Sequence, residues 1–240
     1  MRKFNKLFVI SLPRCATVST CQALGLLGLR IAHLGKIHGE LGDEHHHPAR
    51  LQQMMNQIRA GAFRFELLEL CDGLADYPAC CFSVVEQLIL AYPNSLFINV
   101  QRKNSVAQWL QSVESQFVGL ELLQESAEKC PEHQQFVEVM MQFRELTFGS
   151  QRFDAGLYER AYFNYQDSIG RLFGDSDRLL TFNDLTQLSH EGFSKLCRFL
   201  EVENTGLGEF PCSNAHSSRP RQAFLDALRE GKIRSQTGIV

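Results

Sequence analysis

The stretch Leu7–Leu29 constrains this chain more than any other. Leu7–Ser11 is a short run of large and β-branched apolar residues, the make-up of a strand buried on both faces of a parallel sheet. Pro13 has no N–H to extend a ladder. Beyond a turn, Val18, Cys21, Leu24 and Leu27 recur near helical spacing within Thr17–Leu29. Strand, tight loop and helix in that order open an α/β unit. They also aim the unpaired N–H groups of a helix start at the end of a strand.

The alternation continues along the chain. Leu29–His33 reads as a second short strand, Glu40–Pro48 as a polar loop, and Ala49–Ala60 as a helix through Leu51, Met54, Met55 and Ile58. Phe82–Ala91 is an amphipathic helix ended by Pro93-Asn94, Leu96–Val100 a strand, and Ser105–Val113 a helix. From about 120 to 173 the pattern is almost wholly helical, broken near Cys130-Pro131 and Gly149, which predicts an insertion of two or three helices. Arg178–Phe182 is a strand, Ser189–Leu200 a helix, and Arg221–Glu230 a short helix in the tail. The expected architecture is α/β, a three-layer fold in which a parallel sheet is flanked by helices, with residues 1–240 forming a single domain that carries the insertion. Ligands of such sheets bind where strands end and helices begin, and the first such junction is Leu12–Thr20.

Charge and cysteine usage exclude several classes. A net charge of −3 gives no broad basic surface for nucleic acid or an anionic membrane. No stretch approaches the ~18 apolar residues of a membrane span, and the apolar run Leu7–Leu12 is short of a secretory signal's core. The eight cysteines form no C-x-x-C pair, which argues against a zinc ribbon. In a chain with this much core they imply reduced thiols and a cytoplasmic location, with a secreted disulfide framework as the alternative.

The loop Ser11–Thr20 has the chemistry of a phosphate cradle. Cys15 and Ala16 are small enough for a phosphate to approach the backbone. Thr17, Ser19 and Thr20 add hydroxyls, and Arg14 offers a planar fork to oxyanions. A plain strand–helix turn capped by Ser or Thr is the alternative. The Walker sequence G-x-x-x-x-G-K-[ST] is absent, which disfavours an ordinary ATPase, GTPase or phosphotransferase.

Leu12-Pro13-Arg14-Cys15-Ala16-Thr17-Val18-Ser19 resembles the 5′-phosphosulfate loop of sulfotransferases, L-P-[KR]-[ST]-G-T-[TK]-[SW]. Three further segments match that family in order: Asp76-Tyr77-Pro78 with Tyr92-Pro93, Leu96–Val100 and Arg102; Arg178–Leu185 with Phe193–Leu200; and Phe210-Pro211-Cys212-Ser213-Asn214. The resemblance implies a P-loop sulfotransferase-like fold and transfer of a sulfonate from 3′-phosphoadenosine-5′-phosphosulfate to a hydroxyl or amine acceptor, without a metal. It further implies that Arg14, Cys15, Ala16, Thr17, Val18 and Ser19 hold the donor's 5′ side. Arg102 with Ser112 would hold its 3′-phosphate, and the insertion would shape the acceptor site.

The departures from the pattern bear on activity. Ala16 stands for the family glycine, which strains the loop if that position needs a positive φ. Val18 replaces a phosphate-binding Thr or Lys, and Arg14 a common Lys. The serine expected eight residues after Arg102 is Leu110, so Ser112 takes that role or merely caps its helix. A catalytically degenerate nucleotide-binding or interaction protein is therefore the alternative to an enzyme.

Sulfonate transfer also needs a base at the acceptor and a cation at the bridging oxygen. Arg14 is the candidate cation, and Asp76 and His38 are the candidate bases, with His33 and Glu40 in segments that border the pocket. Asp76 as a helix cap and His38 as a solvated loop residue are the alternatives. Glu44-His45-His46-His47 reads as a solvated loop rather than a metal site, and Trp109 as core rather than a substrate platform. Arg219, Arg221, Lys232 and Arg234 form a basic tail that covers the 3′-phosphate or is plain surface.

Overall fold

The computed structural model describes residues 3–41, 46–125, 131–203 and 210–211. In chain order the elements are β1 (Leu7–Val9), α1 (Thr17–Leu26), β2 (Ile31–His33), β3 (Lys36–Ile37), α2 (Pro48–Arg59), β4 (Gly73–Ala75), α3 (Phe82–Ala91), β5 (Leu96–Val100), α4 (Val106–Glu125), α5 (Pro131–Phe148), α6 (Ala155–Phe173), β6 (Leu179–Phe182) and α7 (His190–Leu200). The strands form one sheet in the order β3-β2-β4-β1-β5-β6. All neighbours are parallel except the edge hairpin β2–β3.

Period-two alternation divides the strand side chains between two cores. Leu7 and Val9 of β1, with Ile98 and Val100 of β5, face α1 and α7. Phe8 and Ile10, with Leu74 and Phe97, face the opposite core, which α2 through α6 cover. Helices therefore lie on both faces of the sheet, the expected three layers.

β3 and β4 have no counterpart among the expected strands. β4 is Gly-Leu-Ala, too short and too small to show a strand pattern. Its glycine is required by proximity: a Cβ on Gly73 would lie 1.6 Å from the Leu7 carbonyl oxygen. The helical region also starts earlier than expected. α4 is a single 20-residue helix from Val106, so no boundary falls at 120, and α5 and α6 complete the insertion. The tail helix at 221–230 and its basic residues lie outside the described residues, as do Glu44 and His45.

The insertion is tied into the sheet by polar contacts as well as by packing. From α6, the Tyr165 hydroxyl donates to the Ile10 carbonyl and the Tyr162 hydroxyl accepts from the Arg102 N–H at 2.8 Å. From α4, Trp109 Nε1 donates to the Pro13 carbonyl at 2.8 Å. The helices thus hold the segments that leave the carboxyl ends of β1 and β5.

Candidate functional site

In the sheet order, β1 lies between β4 and β5, and chain connections depart from it in both directions. This is the crevice where doubly wound sheets place ligands. Three segments meet there: the loop after β1, Asp76 directly after β4, and Arg102 two residues after β5.

The loop is a tight backbone structure. The Cys15 N–H bonds to the Leu12 carbonyl at 3.1 Å, and Arg14 and Ala16 both adopt positive φ, 67° and 54°. Ala16 occupies the left-handed region that a glycine would enter without strain, at a cost of roughly 1–2 kcal/mol. Alanine at this position thus adopts the left-handed conformation in spite of its Cβ. No side chain caps α1, and the amides of Ala16, Thr17 and Val18 meet no acceptor among the described residues. A helix start in this state suits an anion.

Arg14 Nε donates to Ser112 Oγ at 2.8 Å, and Arg102 Nη1 reaches the Arg14 carbonyl at 3.4 Å. The Arg102 guanidinium therefore reaches the backbone of the loop, while the Arg14 guanidinium turns toward α4. Ser112, expected beside Arg102 on the 3′-phosphate, accepts from Arg14 and keeps its own hydroxyl proton to donate. Burial lowers the pKa of Arg14; Asp76 opposes this, and the charges of Arg102 and Arg144 add to it. Arg102 Nε is buried without a partner. Cys15 is fully buried, and its thiol is pushed up to about 12 by desolvation, so it contributes shape and no nucleophile.

Asp76 and Thr17 meet on the other side of the loop. Thr17 Oγ1 donates to Asp76 Oδ2 at 2.9 Å and lies 3.1 Å from His33 Nε2, which is itself 3.6 Å from Asp76 Oδ2. Parallel pairing explains the cluster: His33 of β2 stands in register with Ala75 of β4, so the next residue, Asp76, emerges beside it. Asp76 has φ 63° and also accepts from the Tyr77 N–H at 2.9 Å. Asp76 is 5% exposed and its carboxylate meets Thr17, His33 and the Tyr77 N–H, while the helix that follows, α3, is capped at Cys81, so Asp76 does not act as its cap.

The structure separates His38 from this cluster. His38 is exposed, and its ring lies against Gly25 in the last turn of α1, about 12 Å along the helix from Thr17. Glu40 is bound to Arg50 at 2.8 Å, and that hydrogen bond lowers its pKa. Trp109 is fully buried, as expected of a core residue, while its indole N–H also fixes the loop. Ser19 is buried in α1 and Val18 is half-buried beside it. The residues that sequence reasoning did not assign are Tyr162, Gln116 and Arg144, all from the insertion, where no motif marks them.

No helix among the described residues is long and apolar enough to cross a membrane. The six described cysteines are free and buried. A search of curated proteins finds no match. A family model described as a sulfotransferase domain matches residues 6–219, a span that takes in the loop, Asp76, Arg102 and the helical insertion. The chain belongs to the sulfotransferase family.

Proposed function

We propose that the protein transfers a sulfonate from 3′-phosphoadenosine-5′-phosphosulfate to a hydroxyl or amine of a small-molecule acceptor. The approach of Arg102 to the loop that carries Arg14, with Arg102 Nη1 3.4 Å from the Arg14 carbonyl, supports this reading. A nucleotide with separate 5′ and 3′ charges matches two guanidiniums set on adjacent strand ends, and the open amides of α1 suit its 5′ side. The donor supplies a sulfonate on a phosphate leaving group.

The residues divide the remaining work. In this reading Arg14 stabilises the charge that grows on the bridging oxygen as the S–O bond to phosphate breaks, and a guanidinium does so without giving up a proton. Asp76, oriented by Thr17 and His33, takes the proton from the acceptor oxygen or nitrogen as the new bond to sulfur forms. His33 Nε2 lies close enough to share that proton or to hold the carboxylate in place.

A binding protein without turnover is the second reading. It is favoured by one observation: the Thr17 hydroxyl is committed to Asp76, and Val18 offers no side-chain donor. Calorimetric titration of adenosine 3′,5′-bisphosphate tests the donor site. Binding is expected, and Arg102→Ala should weaken it about 10–100-fold, the loss of charge-assisted hydrogen bonds worth roughly 1.5–3 kcal/mol. Absence of heat at millimolar ligand, or stronger competition by ATP, overturns the assignment. Transfer of labelled sulfonate to a panel of phenols and amines then separates enzyme from binding protein.

A further inference from the structure

The helical insertion buries a cation that the chemistry above does not use. Arg144 of α5 is 1% exposed. Its guanidinium lies over the Phe117 ring, 3.6 Å from the centroid, and Nη2 donates to Gln116 Oε1 at 2.8 Å. The Tyr158 hydroxyl also interacts with the Arg144 side chain, while Nε and Nη1, and the nearby hydroxyl of Tyr77, are buried with no partner at ordinary hydrogen-bond distance. No carboxylate among the described residues forms an ion pair with Arg144. Burying a guanidinium without a carboxylate partner costs several kcal/mol; the Phe117 face and the Gln116 oxygen offset part of this, and a bound anion would offset the rest.

Position says which anion. Ser112 and Gln116 are one turn apart on the same face of α4; Ser112 holds Arg14 and Gln116 holds Arg144. Arg144 therefore stands about 6 Å further along α4 than Arg14, on the side away from the loop that follows β1. Tyr77, next in sequence to Asp76, stacks on Phe143 at 5.2 Å and so joins the base to the Arg144 wall. The Arg144 charge counters the upward pull of burial on the Tyr77 phenol, and it adds to the lowering at Arg14. Arg14 and Arg102 already match the two charged ends of the donor. Phe117, Phe143 and Tyr158 make the surroundings of Arg144 aromatic.

We infer that Arg144 is the acceptor-recognition residue of this site, and that the acceptor carries a carboxylate or similar oxyanion on an apolar, aromatic-compatible body. Its oxyanion would take the free N–H groups of Arg144 and the Tyr77 hydroxyl, presenting its hydroxyl or amine toward Asp76. This rests on the sulfotransferase reading above.

The test uses the full chain saturated with adenosine 3′,5′-bisphosphate, titrated with formate, acetate and benzoate and with the matching amides. The carboxylates should bind at least tenfold more tightly than the amides, with benzoate the tightest. Arg144→Met should bring that ratio to about one while leaving bisphosphate affinity within twofold. The inference is overturned by a ratio near one in the unaltered protein, by a ratio that survives Arg144→Met, or by a tenfold loss of bisphosphate affinity in that variant, which would assign Arg144 to the donor. If Arg144→Met does not fold, the carboxylate–amide ratio of the unaltered protein decides. If the unaltered protein binds no bisphosphate, the donor reading fails separately, and the same ratio measured without nucleotide decides the role of Arg144.

Discussion

Thr17, the first residue of α1, donates its hydroxyl hydrogen to Asp76 directly after β4, 2.9 Å away, and so joins the loop that follows β1 to the candidate base. The two residues are 59 positions apart in sequence. They meet because β1 and β4 are parallel neighbours whose carboxyl ends open on the same crevice. A change at either residue should be felt by the other.

Asp76→Asn keeps the shape of this side chain and one acceptor oxygen, puts an NH2 donor in place of the other oxygen, so that Thr17 must turn its hydroxyl to accept, and tolerates the left-handed backbone that Asp76 adopts at φ 63°. It removes the charge that accepts a proton. Turnover should fall by about 10²–10⁴, the usual contribution of a positioned general base, while bisphosphate affinity stays within a fewfold. Steady-state rates paired with calorimetry check this. Activity within fivefold of the unaltered protein would remove Asp76 from the proton transfer.

Much of the architecture could be read from residue pattern. Leu7–Val9 and Leu96–Val100 are dense apolar runs, and α3 coincides with the expected Phe82–Ala91, because burial on both sides of a central strand and Pro93 after a helix leave local signatures. β4 left none. Its identity depends on how closely β1 approaches Gly73, a tertiary fact. The site divides along the same line. Arg14 and Arg102 were legible because they follow recognisable strands. His33 reaches Asp76 only through the β2–β4 register, and His38, equally plausible as a letter in the sequence, is carried to the far end of α1 by the β2–β3 hairpin. Arg144 is a charged residue on a long helix, indistinguishable by pattern from a solvated one until Phe117 and Gln116 are seen to enclose it.

Trp109→Phe tests whether α4 fixes the loop. The replacement keeps an aromatic ring in a fully buried position but removes the donor to the Pro13 carbonyl. A buried carbonyl left without its partner costs roughly 1–3 kcal/mol, to be read from the midpoint of urea unfolding. Bisphosphate affinity should fall at the same time, because the loop loses its brace one residue before Arg14. Destabilisation with unchanged affinity would make Trp109 a core residue only.

Ala16→Gly addresses the strained position in the loop. Glycine enters the left-handed region freely, relieving roughly 1–2 kcal/mol, against which stands its greater unfolded-state entropy of roughly 0.5–1 kcal/mol. A net gain between zero and about 1.5 kcal/mol is expected. Ala16→Val should lose stability, since a β-branched residue at φ 54° is strained more severely. If Ala16→Gly destabilises the protein by 1 kcal/mol or more, the loop does not keep this conformation in solution.

The thiol of Cys15 gives the loop a pH signature. Burial raises its pKa from 9.0 to about 12, so between those values the folded protein holds a proton that the unfolded chain has released. A group raised in this way stabilises the fold fully below its unfolded pKa, and that contribution is lost as pH rises through the folded value. Stability should therefore be insensitive to this group up to about pH 8.5. It should then decline by roughly 1.4 kcal/mol per pH unit for this one proton, with Tyr162, also raised to about 12 by burial, steepening the fall above pH 10. Urea midpoints at pH 8, 9.5 and 10.5 measure the slope. Cys15→Ala should flatten it by the amount due to one proton, although it lowers stability at pH 8 by removing a packed sulfur. Equal slopes in the two proteins, or rapid alkylation of Cys15 by iodoacetamide at pH 8, would mean that the loop opens to water and that its backbone amides are not held ready for an anion.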